Sequence, residues 1–243
     1  MLIINADDWG KNRETTDRIL VCYKNDRITS ASAMVFMADS ERAAEIAIEN
    51  HLNTGLHLNF SLGYNGNVQS SKLKDYQQTI ASFLTKSKYS MIMYNPRLTN
   101  QFDFVYKAQW EEYIRLYHQQ PEHINGHQHF HICMNMLFGK VIPKGLRIRR
   151  NFTFFNSEKF IANIFYRNLV DHYLEAHYIC TRYFFDICPY GRPEQLEKVR
   201  NLSRLYDVEL MVHPERDKEF SILLSDMFQS FWGSIKKGTY SDL

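Results

Sequence analysis

Short apolar runs alternate with longer segments of helical period along almost the whole chain, and that alternation limits the architectures open to it. Leu2 to Asn5 is an apolar run, and behind it Thr16, Ile19, Leu20 and Tyr23 recur at spacings of three and four, as one face of a helix requires. The pattern then repeats. Ser32 to Met37 predicts a second strand, Asp39 to Asn50 a second helix capped by Asp39 or Ser40, and Thr54 to Phe60 (TGLHLNF) a third strand. Gln101 to His118 carries Phe102, Val105, Tyr106, Tyr113, Leu116 and Tyr117 on one helical stripe, and HIN, LRIRR, RYFFDIC and VELMV supply further strand candidates. Gly63 to Ser90 is polar and reads as a long loop over one face. Alternating strands and helices predict a parallel sheet, and this number of units fits a closed or nearly closed β/α barrel. An open doubly wound sheet is the alternative, but no Gly-rich phosphate loop follows any strand. With no internal repeat, low-complexity segment or linker, the reading is one domain over residues 1–243.

Composition removes several function classes. Twenty-nine Lys and Arg against 27 Asp and Glu leave a formal charge of +2, and nowhere is it concentrated as on a nucleic-acid-binding surface. The densest basic run, Lys144 to Arg150 (KGLRIRR), reads as a strand with solvated ends, so no nucleic-acid partner is expected. No apolar stretch approaches the roughly 20 residues that cross a bilayer. The opening MLIINADDWG is too short for a signal-peptide core and meets two carboxylates at once, which predicts a cytoplasmic protein. Cys22, Cys133, Cys180 and Cys188 lack CxxC spacing, which argues against zinc fingers and disulfide frameworks. Aromatic content of 14% suits sugar contact, but a large core accounts for most of it.

In β/α barrels the reactive side chains come from the C-terminal ends of several strands. Here Asp7 and Asp8 follow LIIN, His57 lies within GLHLN, His127 and His129 follow HIN, Arg147 lies in LRIR, and His213 follows ELMV. Taken singly each has an ordinary explanation: an Asp pair can cap a helix, a lone His can be a core residue, and HxHxH runs (His127, His129, His131) are often fortuitous. Together they offer two imidazoles and a carboxylate, a facial ligand set that leaves positions open for water and substrate. Adjacent residues at a strand end point in different directions. One Asp can therefore bind a metal while the other acts as general base beside it.

These residues also carry a resemblance. NADDWG, GLHLN, HINGHQHFH at 123–131, LRIRR, MVHPE at 211–215 and the terminal YSDL are similar, in order and spacing, to the YdjC-like (ChbG/HpnK) carbohydrate deacetylases, nearly end to end. The resemblance implies a distorted β/α barrel of the polysaccharide-deacetylase type and one divalent metal ion, magnesium or zinc. It implies Asp8, His57 and His127 as metal ligands, Asp7 as general base and His213 as general acid, with Arg147 near the base; His129, from its place on the rim, is read as a supporting residue. The implied substrate is an N-acetylated sugar or oligosaccharide, and the implied assembly, since dimers are common in that family, is a homodimer.

One departure stands out. The family usually reads HxDSHxH, whereas this chain has His123, Asn125 and Gly126, so an Asp-Ser pair has become Asn-Gly. Asn125 can hydrogen-bond a ligand histidine but supplies no charge. The expected reaction is hydrolysis of an acetamide, with Asp7 taking a proton from water and His213 giving one to the departing amine. Two rivals remain: another metallohydrolase on a similar barrel, acting on a phosphoester or cyclic amide, and an inactive glycan-binding relative. Retention of Asp7, Asp8 and His213 argues against the second, because binding needs neither base nor acid.

Overall fold

The N-terminal run is apolar without alternation because both of its faces are covered. Leu2–Trp9 (β1) is buried at every position and is hydrogen-bonded on both sides. Around it Ser30–Ala33 (β2), Thr54–Leu58 (β3), Ile124–Gly126 (β4), Tyr183–Asp186 (β5) and Val208–Val212 (β6) form one parallel sheet in the order β4-β3-β2-β1-β6-β5. The computed structural model describes residues 1–87, 89–153, 161–187 and 193–243. Cys188, the last residue of RYFFDIC, lies outside the described residues.

The sheet curls. Leu146 to Thr153 spans the gap between its two edges, bonding β4 on one side (Arg149 N–H to Ile124 O, 2.9 Å) and the approach to β5 on the other (Ile148 N–H to Ile179 O and Thr153 N–H to Phe184 O, both 2.9 Å). The architecture is thus the distorted β/α barrel expected. The LRIRR run forms isolated bridges rather than a regular strand, because its partners change from residue to residue along it.

Helices cover the outside. Arg13–Lys24 (α1) starts where Asn12 accepts the Thr15 N–H, Ser40–Glu49 (α2) falls within the second helix expected, and Thr99–Tyr117 (α4) buries the stripe read from the sequence. Three expectations need correction. The second strand ends at Ala33, and Phe36, at φ 62°, turns the chain out of the sheet. Asp39 precedes α2 without capping it, its carboxylate being taken by Arg42 at 2.8 Å. The stretch Gly63 to Ser90, in which Lys88 lies outside the described residues, is not a bare loop. It contains Ser71–Thr85 (α3), which buries Leu73, Gln77, Ile80 and Leu84.

Met134–Phe138 (α5), Ile161–His177 (α6), Pro193–Leu205 (α7), Asp217–Leu224 (α8) and Asp226–Trp232 (α9) complete the outer layer. Among the described residues no helix is long and apolar enough to cross a membrane. The C-terminal residues return to β1: Leu2 donates to Lys236 O at 2.9 Å and Gly238 donates to Leu2 O at 3.0 Å. Tyr240 then enters the barrel and stacks on His123, ring centroids 3.9 Å apart. His123 occupies the place a side chain on Gly55 would need, so the glycine of TGLHLN is required by close approach.

Candidate active site

The strands converge at their C-terminal ends on a hollow of about 390 Å³, lined by Asp7, Asp8, His57, His127, Asp186 and His213 among others. Asp7 and Asp8 diverge because β1 bulges there. Its register against β2 shifts between Ala6 and Trp9, and Asp8 takes the left-handed φ of 71°, which Asp tolerates better than most residues. The Asp8 carboxylate is thereby turned toward two imidazoles, with His127 Nδ1 at 3.0 Å and His57 Nε2 at 3.3 Å from Oδ1. One ligand atom from each residue lies within 4.8 Å of the others. Burial would raise the Asp8 carboxyl, but its contacts with both imidazoles outweigh burial and hold it well below the ordinary range. Gln128 and His129, beside His127, also have left-handed φ values of 53° and 59°, so the rim stores backbone strain on both sides of this cluster.

Asn125 sets the state of His57. The two face each other across β3 and β4, with Asn125 Oδ1 2.7 Å from His57 Nδ1. Burial would lower the His57 pKa, but Asp7 and Asp8 outweigh it and raise it, so His57 donates from Nδ1 to Asn125 and from Nε2 toward Asp8; a cation at Asp8 would take the place of the Nε2 proton. The reversed amide would donate to His57 Nδ1 and accept from Arg149 at 2.9 Å, forcing the proton onto Nε2. The reversed amide also accepts from Ser32 at 2.7 Å, whereas the first sets the amide nitrogen against the Arg149 guanidinium, so a ligand role for His57 would need the first orientation while the surrounding donors favour the second.

Asp7 is held on the other side. Arg149, fully buried, donates from Nη1 to Asp7 Oδ2 (2.6 Å) and from Nη2 to Oδ1 (2.7 Å), while Asn5 donates to Oδ1 at 2.9 Å. A carboxylate offers about four lone-pair sites, so Oδ2 keeps one for a water or substrate. Burial alone would raise the Asp7 carboxyl, but Arg149, followed by His57 and His213, holds it far below the carboxylate range. Behind Arg149, buried Glu209 accepts from Nε at 2.9 Å and Nη2 at 2.6 Å, and Tyr240 donates to the same carboxylate.

Arg147 is not at this site, contrary to the expectation. The Ile124–Ile148 bridge sets Arg149 level with Asn125 and Arg147 two residues below it, near Glu122 and Ser241 at the other end of the barrel. At about 3.3 Å per residue that is the whole reach of the contact. His129 does line the hollow, but its ring packs edge-on against Phe152 (4.4 Å) and Phe184 (5.7 Å), and no polar contact joins it to Asp8. Burial, then Arg149, pushes its pKa well down, so it sits there as a neutral ring. His131 turns inward, its Nε2 donating to Arg149 O at 3.0 Å.

His213 lines the same hollow as His57 and His127, its Nδ1 3.9 Å from Glu219. Lys11 closes one side by bridging Asp8 Oδ2 (3.2 Å) and Glu215 (2.7 Å). Arg149, Glu209, Lys11 and Glu219 were not singled out from sequence. Glu209 did leave a signal, since it is the only charge in the apolar strand VELMV and a carboxylate there demands a buried cation.

A family profile described as YdjC-like protein matches residues 1–233. Among curated relatives, the chain is 28% identical over 144 residues to a chitooligosaccharide deacetylase of Proteus mirabilis, covering 59% of this chain and 53% of that one. It is 26% identical to the carbohydrate deacetylase of Danio rerio over 58% of this chain and 46% of that one, and 26% identical to that of Mus musculus over 54% and 43%. The chain spans about half the length of the curated relatives it matches. A crystal structure from Enterococcus faecalis V583, described as a candidate cellobiose-phosphate cleavage protein, aligns over 99% of this chain and 97% of that one with a TM-score of 0.67 at 18% identity, a likeness of fold.

Proposed function

Because the chain belongs to the YdjC-like family, we propose that it is a metal-dependent hydrolase removing the acetyl group from an N-acetylated sugar or oligosaccharide. The observation that carries the reading is the Asp8 carboxylate flanked by two imidazole nitrogens, with a second, independently held carboxylate beside it. Asp8, His57 and His127 fit a divalent cation by donor chemistry. Two nitrogens and one oxygen suit a borderline ion such as zinc better than magnesium, which prefers oxygen throughout. When bound, the cation would act as a Lewis acid toward the amide carbonyl and the attacking water.

Asp7 orients that water through the free lone pair on Oδ2 and accepts its proton. Its carboxyl, held far below the ordinary range, is ionised throughout the physiological pH window, and Arg149 keeps it from swinging toward the cation. His213, which lines the same hollow, gives a proton to the sugar nitrogen as the C–N bond breaks, because an amine leaves poorly as an anion. Acetate and a free amino sugar result. The test is acetate release from N-acetylglucosamine oligomers and from acetylated lipid-linked and nucleotide sugars, with the protein stripped of metal and then reloaded with zinc or magnesium. Release that needs the restored metal supports the reading, and no release from any of these substrates overturns it.

A further inference from the structure

Helix α8 contributes a carboxylate for which the proposed reaction has no use. Glu219 is fully buried, with Oε2 accepting the His213 N–H at 2.6 Å and Oε1 accepting from Arg216 Nη1 at 2.8 Å. The same Oε1 lies 3.9 Å from His213 Nδ1, an atom buried without a hydrogen-bond partner of its own. Asp186, at the end of β5, adds a second carboxylate, and one ligand atom from each of Asp186, His213 and Glu219 lies within 4.8 Å of the others. Burying a carboxylate is costly unless specific partners repay it, and a helix facing the sheet would ordinarily bury an apolar residue there.

A second cation site is one explanation of such a trio. Both Glu219 oxygens, however, already accept hydrogen bonds, one of them from cationic Arg216, and a metal would have to displace these. A proton on His213 would not.

We infer that Glu219, with Asp186 beside it, is a positioning residue for His213, anchoring its backbone N–H at 2.6 Å and setting a negative charge 3.9 Å from the ring's Nδ1 edge, so that Nε2 is the donor end of an imidazolium. The arrangement follows the logic by which a buried carboxylate orients a catalytic histidine and stabilises its charged form. Among the described residues, the charged groups that line the hollow with His213 or touch it include Asp7 and Asp8 from β1, Lys11, Asp186 from β5, Glu215, and Arg216 and Glu219 at the start of α8. Acidic groups outnumber basic ones in this set. In the reaction, the Nε2 proton passes to the amine nitrogen as its bond to the acyl carbon breaks, and the Nδ1 proton stays on the carboxylate side. This use rests on the deacetylase reading, whereas the orientation does not.

The test is Glu219→Gln, which keeps an oxygen for the His213 N–H and removes the charge. NMR titration of the His213 ring in the intact protein should show its midpoint about one pH unit lower in the variant, as expected for losing an opposite charge at this range. The folded amide spectrum should be retained. With an N-acetyl sugar the variant should lose kcat at little change in KM, and lose less with an aryl acetate, whose leaving group needs no proton. If Glu219→Gln does not fold, Asp186→Asn should move the midpoint in the same direction. An unchanged His213 midpoint in a folded variant overturns the inference. So does a second equivalent of zinc that binds the native protein and is lost in Glu219→Gln. A titration shift in a protein that releases no acetate from any acetylated sugar would keep this inference and sink the deacetylase reading.

Discussion

Replacing Arg149 by Met tests whether the site is organised around one buried cation. In the native protein this guanidinium serves two carboxylates, Asp7 and Glu209, and all three side chains are at most 4% exposed. Met fills much of the volume, so the loss is mainly electrostatic, and removing one member of a buried charged group costs about 3 to 5 kcal/mol. For a chain of this length each kcal/mol is worth about 2 to 4 °C, so Tm at pH 7 should fall by about 6 to 20 °C. The pH dependence sharpens the test. Burial already holds the Glu209 carboxyl above its ordinary range in the native protein, and without Arg149 it rises further while Asp7 passes from far below to above its unfolded value of about 3.9, so the variant loses stability as pH rises through them. Its deficit against the native protein should therefore shrink between pH 7 and pH 5, as the two carboxyls take up protons. Scanning calorimetry at both pH values reads this directly. A Tm within about 3 °C of native at pH 7, or a deficit independent of pH, would refute the account of Arg149 as the shared counter-charge.

Other perturbations probe separate parts of the structure. Gly55→Ala should cost about 1 to 3 kcal/mol by pressing a methyl into the His123 ring, which Tyr240 and Ser32 hold in place; denaturant unfolding with an unchanged midpoint would show that the ring yields freely. His131, its pKa driven down to about 3 chiefly by burial, takes up a proton on unfolding at pH values below about 6.5. It should therefore cost about 2 kcal/mol of stability between pH 7 and pH 5, a loss that His131→Gln removes and that melts at the two pH values would detect. Asp8→Ala should abolish zinc binding in a competition titration, whereas Asp7→Asn should retain it and slow acetate release about 10² to 10⁴ fold; an Asp7→Asn protein near native rate sinks the proton-accepting role.

The legible parts of this chain are those in which one residue's chemistry derives from its place in a period. The strand-and-helix alternation survives in the structure because parallel strands buried on both faces are mostly apolar runs, and β1 and β6 are such runs apart from Asn5, Asp7, Asp8 and Glu209. The rim residues are legible because each stands at or just beyond the end of an apolar run, and the sheet brings Asp7, Asp8, His57, His127 and His213 to one hollow. Sequence was insufficient where the decisive quantity was registration between segments far apart in the chain. LRIRR offers Arg147, Arg149 and Arg150 within four positions, and only the bridge between Ile148 and Ile124 selects Arg149 as the one level with Asp7. Helix α3 was hidden because its apolar stripe of Leu73, Ile80 and Leu84 is thin and interrupted by Gln77, a polar residue that is buried because it donates to Leu62 O at 3.0 Å. Glu219 left no sequence trace, since an acidic residue in the first turn of a helix is what the helix dipole favours anyway. Its burial against His213 comes from the docking of α8 on the barrel, a tertiary fact. The residues expected to hold a metal or carry a proton were thus readable from strand ends. Those that orient them, Asn125 excepted, are fixed by contacts between elements.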